Sequence, residues 1–251
     1  MLSPSFSLHF YRVTAIFLTT MFVVENYKAL QARIAAACSR AERNPTEVTL
    51  IGVTKTVGME DIAVAYEHGV TIFGENRVQE AAVKIEAYRQ KEIAPQWHLI
   101  GHLQTNKAKR AIELFDVIQV VDSSRLAETL QRNAEIAQRL IEVFVQVNTS
   151  GESTKFGATP AEALPLIREI SGYSHVRITG LMTIGALDAD STKVRQCFRN
   201  LRELAATVTA HRFPNVTMRH LSMGMTDDFE IAIAEGATMI RVGRALFGER
   251  H

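Results

Sequence analysis

The sequence is poor in several features that would declare a function class. Cysteine is nearly absent, with Cys38 and Cys197 the only two in 251 residues. That excludes a disulfide framework, and the wide separation offers neither a zinc-ribbon pair nor a thioredoxin-type redox motif. Two inert thiols in a reducing cytosol are expected, and with them a cytoplasmic location. Charge of one sign is not in excess either: 28 basic side chains stand against 27 acidic ones. A protein that neutralises phosphates along a polyanion shows a basic surplus, so nucleic acid is not an expected partner. Disorder would need low hydrophobicity, and the chain is 47% hydrophobic. The apolar run at residues 13–24 follows Arg12 like the core of a signal peptide, but it falls short of the roughly 20 residues that span a bilayer. No small-residue cleavage site follows it. No membrane contact is expected. Met21 lies inside this run, just before a helical pattern begins, so residues 1–24 read as a disordered extension or upstream-start segment. A secreted protein is the alternative. The working domain is residues 25–251. Gly-rich phosphate turns are missing as well: Gly52-Val-Thr-Lys-Thr-Val-Gly58 is not a dinucleotide fingerprint, and Gly74 is followed by Glu75 rather than the lysine of a Walker loop.

From about residue 48 short β-branched runs alternate with longer amphipathic stretches. The eight runs are 48–55, 71–76, 96–102, 117–122, 142–148, 177–184, 218–224 and 238–243. This is the order of a parallel sheet with crossover helices. Helix punctuation separates them. Thr159-Pro160-Ala161-Glu162 supplies a capping threonine, a first-turn proline and a returning glutamate, with Gly172 as a stop. Asp227 with Glu230 repeats the device, and Gly236 closes that helix. Tyr27, Leu30, Ile34 and Ala37 mark one further helix before the first strand. Eight βα units without a linker predict a single (βα)8 barrel with an extra N-terminal helix, in the size range of about 250 residues common for that fold. A doubly wound open sheet is the rival.

Barrels keep their chemistry at the C-terminal ends of the strands. The first run ends in Lys55. Alternation puts Ile51, Val53 and Lys55 on one face, and an inward face would set the amine among aliphatic groups, where desolvation favours the neutral form that a Schiff-base nucleophile needs. A strand-end lysine reaching solvent is the alternative. Phe73-Gly74-Glu75-Asn76-Arg77 ends the second run, with Asn76 either a ligand donor or a helix cap. His98 and His102 are four apart, but on a strand this spacing does not make a metal pair, so a structural role is expected. After the fifth run a small polar loop carries Lys155, a second amine on the expected active side. The last two runs end in Ser222-Met223-Gly224 and Arg241-Val242-Gly243-Arg244, the place where barrels bind phosphate with backbone N–H groups and a hydroxyl. A phosphate pocket opposite a desolvated lysine explains these residues jointly; turn glycines and surface arginines are the plainer alternative.

Six segments in order also carry a resemblance: Val53-Thr-Lys-Thr56, Phe73-Gly-Glu-Asn76, Trp97 through Lys107, Val147 through Glu152, Gly180-Leu-Met-Thr183 and Leu221-Ser-Met-Gly-Met225. Over about residues 25–249 the chain resembles the pyridoxal phosphate homeostasis proteins. The resemblance implies an alanine-racemase N-terminal-domain barrel (the type III fold of pyridoxal phosphate proteins) holding pyridoxal 5′-phosphate (PLP) as a Schiff base on Lys55. It further implies that Asn76 sits by the phenolic oxygen and Met182 near the ring. Ser222, Met223, Gly224, Gly243 and residue 244 would hold the phosphate, and Arg241 would lie by the pyridine nitrogen. Arg244 stands where relatives often have a small hydroxyl residue, and Thr226 where serine is common. The function so implied is a carrier that buffers PLP or delivers it to PLP-dependent apoenzymes, with Lys155 as a possible transfer amine and a monomer favoured. A PLP-dependent racemase or lyase is the alternative, and a cofactor-free lysine aldolase a third. Racemases of this fold add a tyrosine from a C-terminal β domain; with the sequence closing at His251, that domain is expected to be absent.

Overall fold

The computed structural model describes residues 4–91, 94–186 and 190–249, with side chains from Met21 onward; His251 lies outside them. Eight strands, β1 (Thr49–Val53), β2 (Ile72–Glu75), β3 (Gln96–Leu99), β4 (Val117–Val121), β5 (Ile141–Gln146), β6 (Val176–Met182), β7 (Val216–Ser222) and β8 (Met239–Val242), pair in sequence order into a closed parallel barrel. Closure is made by β1 against β8, with Ile51 opposite Arg241 and Gly52 opposite Val242. The helices are α1 (Pro4–Arg40), α2 (Met59–Glu67), α3 (Val78–Gln90), α4 (Ala108–Leu114), α5 (Ser124–Ile136), α6 (Pro160–Ile170), α7 (Ser191–His211), α8 (Phe229–Ala234) and the single turn α9 (Arg244–Phe247). Each of the eight expected runs overlaps one strand, with β5 and β6 beginning one residue and β7 two residues before the expected start. Most strands stop short of the expected end, which leaves Lys55, Asn76, Gly224 and Gly243 in the loops at the C-terminal mouth. Gly224 has φ +95°, so the chain turns sharply there and ends β7 earlier than the sequence pattern suggests.

The core forms because both faces of the sheet are covered. Val117–Val121 is buried throughout, as is Ile72–Glu75, and Phe73, Phe115, Phe144, Phe198 and Phe229 are fully buried. Each such ring contributes about 2–3 kcal/mol by leaving water. Cys38 and Cys197 are free, buried thiols, and burial pushes the Cys38 thiol up. Among the described residues no helix is long and apolar enough to cross a membrane.

Two expectations need correction. The boundary at residue 24 is not a structural one: α1 runs through it, Val23 is buried on the same stripe as Leu30, Ile34 and Ala37, and Phe22 lies against Gly248. A helix face that covers the barrel cannot stop one turn before its apolar stripe does. The cap of α8 is Asp228 rather than Asp227, and its carboxylate accepts from the Met225 N–H at 2.5 Å instead of capping the helix. Asp227 pairs with Arg244, and Glu230 with Arg33 at 2.7 Å. The Thr159–Glu162 capping box is present as expected, with Glu162 N–H donating to Thr159 Oγ1 at 3.3 Å and Thr159 N–H to Glu162 Oε2 at 3.0 Å.

Candidate cofactor site

The C-terminal mouth of the barrel opens into a cavity of about 540 Å³, within the usual size range for a small cofactor. Val53 and Lys55 line it from β1 and its loop, Asn76 from the loop after β2, and Ile100 and Ile184 from those after β3 and β6. Met225, Thr226, Asp227, Arg241, Gly243, Arg244 and Glu249 complete the wall on the β7–β8 side. Lys55 and Arg241 thus face one space from neighbouring strands.

Lys55 is half-buried, and its amine has no hydrogen-bond partner among the described residues. Its backbone, by contrast, is clamped from below. Lys84 on α3 donates to the Thr54 carbonyl at 2.6 Å and to Glu75 Oε1 at 2.7 Å, while Thr54 Oγ1 donates to the same carboxylate oxygen at 2.7 Å. Glu80 Oε1 accepts from Lys84 at 3.1 Å and from the Thr56 N–H at 2.5 Å, with Thr56 in the left-handed region at φ +62°. Burial pushes the Glu75 carboxyl up, opposed by hydrogen bonds from Lys84 and Thr54. Burial also raises Glu80, but the Thr56 N–H and Lys84 together hold it below the ordinary value. Sequence reading missed this clamp. The available signal was Lys84 lying on the same α3 stripe as Val78, Ala81, Ile85 and Tyr88, a cation where an apolar residue belongs.

Asn76 does not cap α3, whose N-cap position is Arg77; its side chain is left to the cavity. Gly101 allows the next loop to close on it, since a β-carbon there would stand 2.4 Å from the Asn76 carbonyl oxygen. His98 and His102 part company. His98 is buried in the barrel, whereas His102 stacks on the exposed Phe156 ring at 4.1 Å, and no metal-holding cluster exists among the described residues.

On the far wall, the N–H groups of Gly243 and Arg244 have no acceptor among the described residues, nor do those of Ala245 beside them and of Gly224 in the turn after β7, which leaves unpaired donors at the turns after β7 and β8. Gly224 accepts the Arg241 N–H at 2.9 Å, and its positive φ and closeness to Ala232 and Phe229 exclude a side chain there. Arg241 is buried, donating to Ser222 Oγ and to the Thr183 carbonyl, both at 2.7 Å. Burial lowers its pKa to about 10, countered by the Asp228 charge, so the guanidinium stays protonated at neutral pH. Burial raises the Asp228 carboxyl, against the pull of the Met225 N–H and Arg241.

Five expected site residues are engaged elsewhere than the sequence suggests. Met182, Ser222 and Met223 are fully buried and do not line the cavity; the Ser222 hydroxyl is taken by Arg241 and Gln119, and the Met223 N–H by the Met239 carbonyl at 3.1 Å. Their side chains lie beneath the site because the strand, still paired there, buries both of its faces. Lys155 does not project over the mouth: its amine donates to Glu152 and to the Gly185 carbonyl, both at 2.7 Å. The Arg244 side chain is taken by Asp227, and both residues line the cavity.

Comparison with known proteins gives the family and the fold. Residues 26–251 match the family "Alanine racemase, N-terminal domain". The chain is 39% identical over 230 residues to the pyridoxal phosphate homeostasis protein of Pasteurella multocida, covering 92% of this chain and 98% of that one. It is 40% identical to the protein of the same name from Aquifex aeolicus, covering 92% and 99%. Among solved structures, PipY of Synechococcus elongatus with PLP bound is 38% identical, with a TM-score of 0.74 over 86% of this chain and all of that one. An alanine racemase from Clostridium difficile shares the fold alone, at 16% identity and a TM-score of 0.73, and this chain covers 57% of its length. The chain belongs to the family of the pyridoxal phosphate homeostasis proteins, built on the barrel of the alanine racemase N-terminal domain.

Proposed function

We propose that this protein holds PLP in the cavity at the barrel mouth, as a Schiff base on Lys55, and serves as a carrier that buffers the cofactor or delivers it to PLP-dependent apoenzymes. The observation that carries the reading is the pairing, across one cavity, of an amine without a partner and backbone N–H groups without acceptors. An aldehyde and a phosphate monoester on one small molecule answer both. When bound, PLP supplies an aldehyde carbon that condenses with an amine and releases water.

The chain's own residues divide the remaining work. The Gly224, Gly243 and Arg244 amides cradle the anion, which brings no positive side chain into competition with Lys55. Asn76 offers an amide to an oxygen on the ring edge. Arg241 keeps a fixed positive charge at the wall and so opposes protonation of a ring nitrogen that faces it, which weakens the ring as an electron sink. Among the described residues, the proton acceptors beside Lys55 on the cavity wall are two carboxylates, Glu249 and Asp227, the latter paired with Arg244, and no tyrosine of the kind a racemase uses lines it. This favours a carrier over a racemase or lyase.

Titration of the purified protein with PLP, followed by visible absorbance, tests the reading. The native chain gains a visible band that Lys55→Ala does not, and neither accumulates a D-amino acid from its L-enantiomer. An unchanged band in Lys55→Ala would overturn the anchor, and sustained D-amino-acid formation abolished by that substitution would turn the carrier into an enzyme.

A further inference from the structure

Beneath the cavity, four buried polar side chains from four strands are joined end to end. Arg241 Nη1 on β8 donates to Ser222 Oγ on β7 at 2.7 Å, and Ser222 Oγ donates to Gln119 Oε1 on β4 at 2.6 Å. Gln119 Nε2 lies 2.7 Å from His98 Nδ1 on β3. Arg241 is 5% exposed, and the other three are 1% or less. In the closed barrel, β7 and β8 lie across from β3 and β4, so the row crosses the interior.

The row can run in only one direction. A guanidinium donates and never accepts, so Ser222 must accept from Arg241 and spend its single proton on Gln119. That makes the facing Gln119 atom the carbonyl oxygen, and the amide nitrogen is then the atom that faces His98. His98 must accept at Nδ1 and carry its proton on Nε2. Turning the amide round would aim two N–H donors at Ser222 Oγ and strand the hydroxyl proton. The buried His98 Nε2 is also without a partner in the structure, an unpaired group that a purely structural histidine would be expected to avoid. Burial and the neighbouring His220 hold the ring pKa down to about 3, so one ring nitrogen, not two, bears a proton at neutral pH.

We propose that Gln119 and His98 are positioning residues for Arg241: a one-way hydrogen-bond row, ending on a neutral Nε2–H imidazole, locks the guanidinium in a single orientation at the cavity wall. Gln119 and His98 act through Ser222 and do not line the cavity themselves. Its consequence for PLP binding rests on the reading above. Its existence does not.

Two measurements on the full chain separate these. Long-range ¹H–¹⁵N NMR of the PLP-free protein reads the His98 tautomer. The row requires Nε2–H alone in the native protein, and an appreciable Nδ1–H population in Ser222→Ala, where nothing any longer dictates the Gln119 amide. Nδ1–H in the native protein, or an unchanged tautomer in Ser222→Ala, would overturn the row; a residue that merely filled space would not respond to a substitution on another strand. PLP titration then compares the native chain with Gln119→Leu and the near-isosteric Gln119→Met, both expected to bind about tenfold more weakly, the loss that follows from one broken buried hydrogen bond. Native-like affinity in a folded variant would overturn the positioning role while the PLP reading stood. Failure of the native chain to bind PLP would overturn the PLP reading and leave the tautomer result to decide the row.

Discussion

Lys55 and Arg241 reach the same cavity from paired strands under opposite constraints. The lysine amine has no partner among the described residues, while the backbone on either side of it is clamped by Lys84 and Glu80. The arginine is held at its head, by Ser222 and the Thr183 carbonyl, and is buried. The difference follows from what each must do. A nucleophile needs a free lone pair on a fixed stem, whereas a group that sets the local potential needs a fixed charge. The two arrangements place rigidity at different points of the side chain, and each predicts where a substitution is costly.

The largest effect on stability is expected beneath Lys55. Lys84→Met leaves the buried Glu75 carboxylate without its cation and should cost about 3–5 kcal/mol in urea unfolding, with most of it recovered when Glu75→Gln is added. A loss no greater than that of an ordinary surface substitution would show that the clamp bears no weight. Arg241→Met should cost about 2 kcal/mol, because charged hydrogen bonds to Ser222 and Thr183 are lost and Asp228 is left facing no cation. Lys55→Ala, with no bond to lose, should stay within about 0.5 kcal/mol of the native chain while removing covalent cofactor retention. Equal losses for the two would erase the contrast between a free head and a fixed one.

Away from the mouth, Glu235 offers a control with three cations around one carboxylate. Burial pushes it up, but hydrogen bonds from Arg195 and Arg199 and the charge of Arg202 hold it below the usual 4.5. A depressed carboxyl contributes stability above its unfolded value that disappears as pH falls through the folded one. The advantage of the native chain over Glu235→Gln should therefore be constant above about pH 5.5 and shrink below pH 4.5 in acid unfolding. An advantage that grew on acidification would contradict the assignment. A small effect of the opposite sign is expected at Thr56, where φ +62° strains a β-branched residue. Thr56→Gly should change stability by about 1 kcal/mol or less in the stabilising direction, as read from the thermal midpoint.

How much of this was legible in the sequence differs between these regions. The strands could be read because a parallel sheet covered on both faces demands largely apolar runs, which Val117–Val121 supplies apart from Gln119, and Ile141–Gln146 apart from Glu142 and Gln146. The start of β7 was misplaced by two residues because Thr217 and Arg219 are exposed, breaking the run. Lys55, Asn76, Arg241 and Gly243 were legible as polar or glycine residues at strand ends, where a barrel places its chemistry. The Glu75–Lys84 clamp and the Gln119–Ser222 row were not. The clamp depends on a helix lysine folding back onto β2 and the loop after β1. The row depends on which side chains meet across a closed barrel, where spacing along the chain carries no register between β4 and β7. Lys155 shows a similar limit: its loop position is legible, but its bonds to Glu152 and Gly185 are not.

Borohydride reduction of the protein with bound PLP, followed by peptide mapping, tests the central claim most directly, because it fixes the cofactor to whichever amine holds it. The account predicts a single labelled peptide with the mass increment on Lys55, and no label on Lys84 or Lys155, whose amines are already bonded. Label on Lys155 or elsewhere, with Lys55 unmodified, would contradict it.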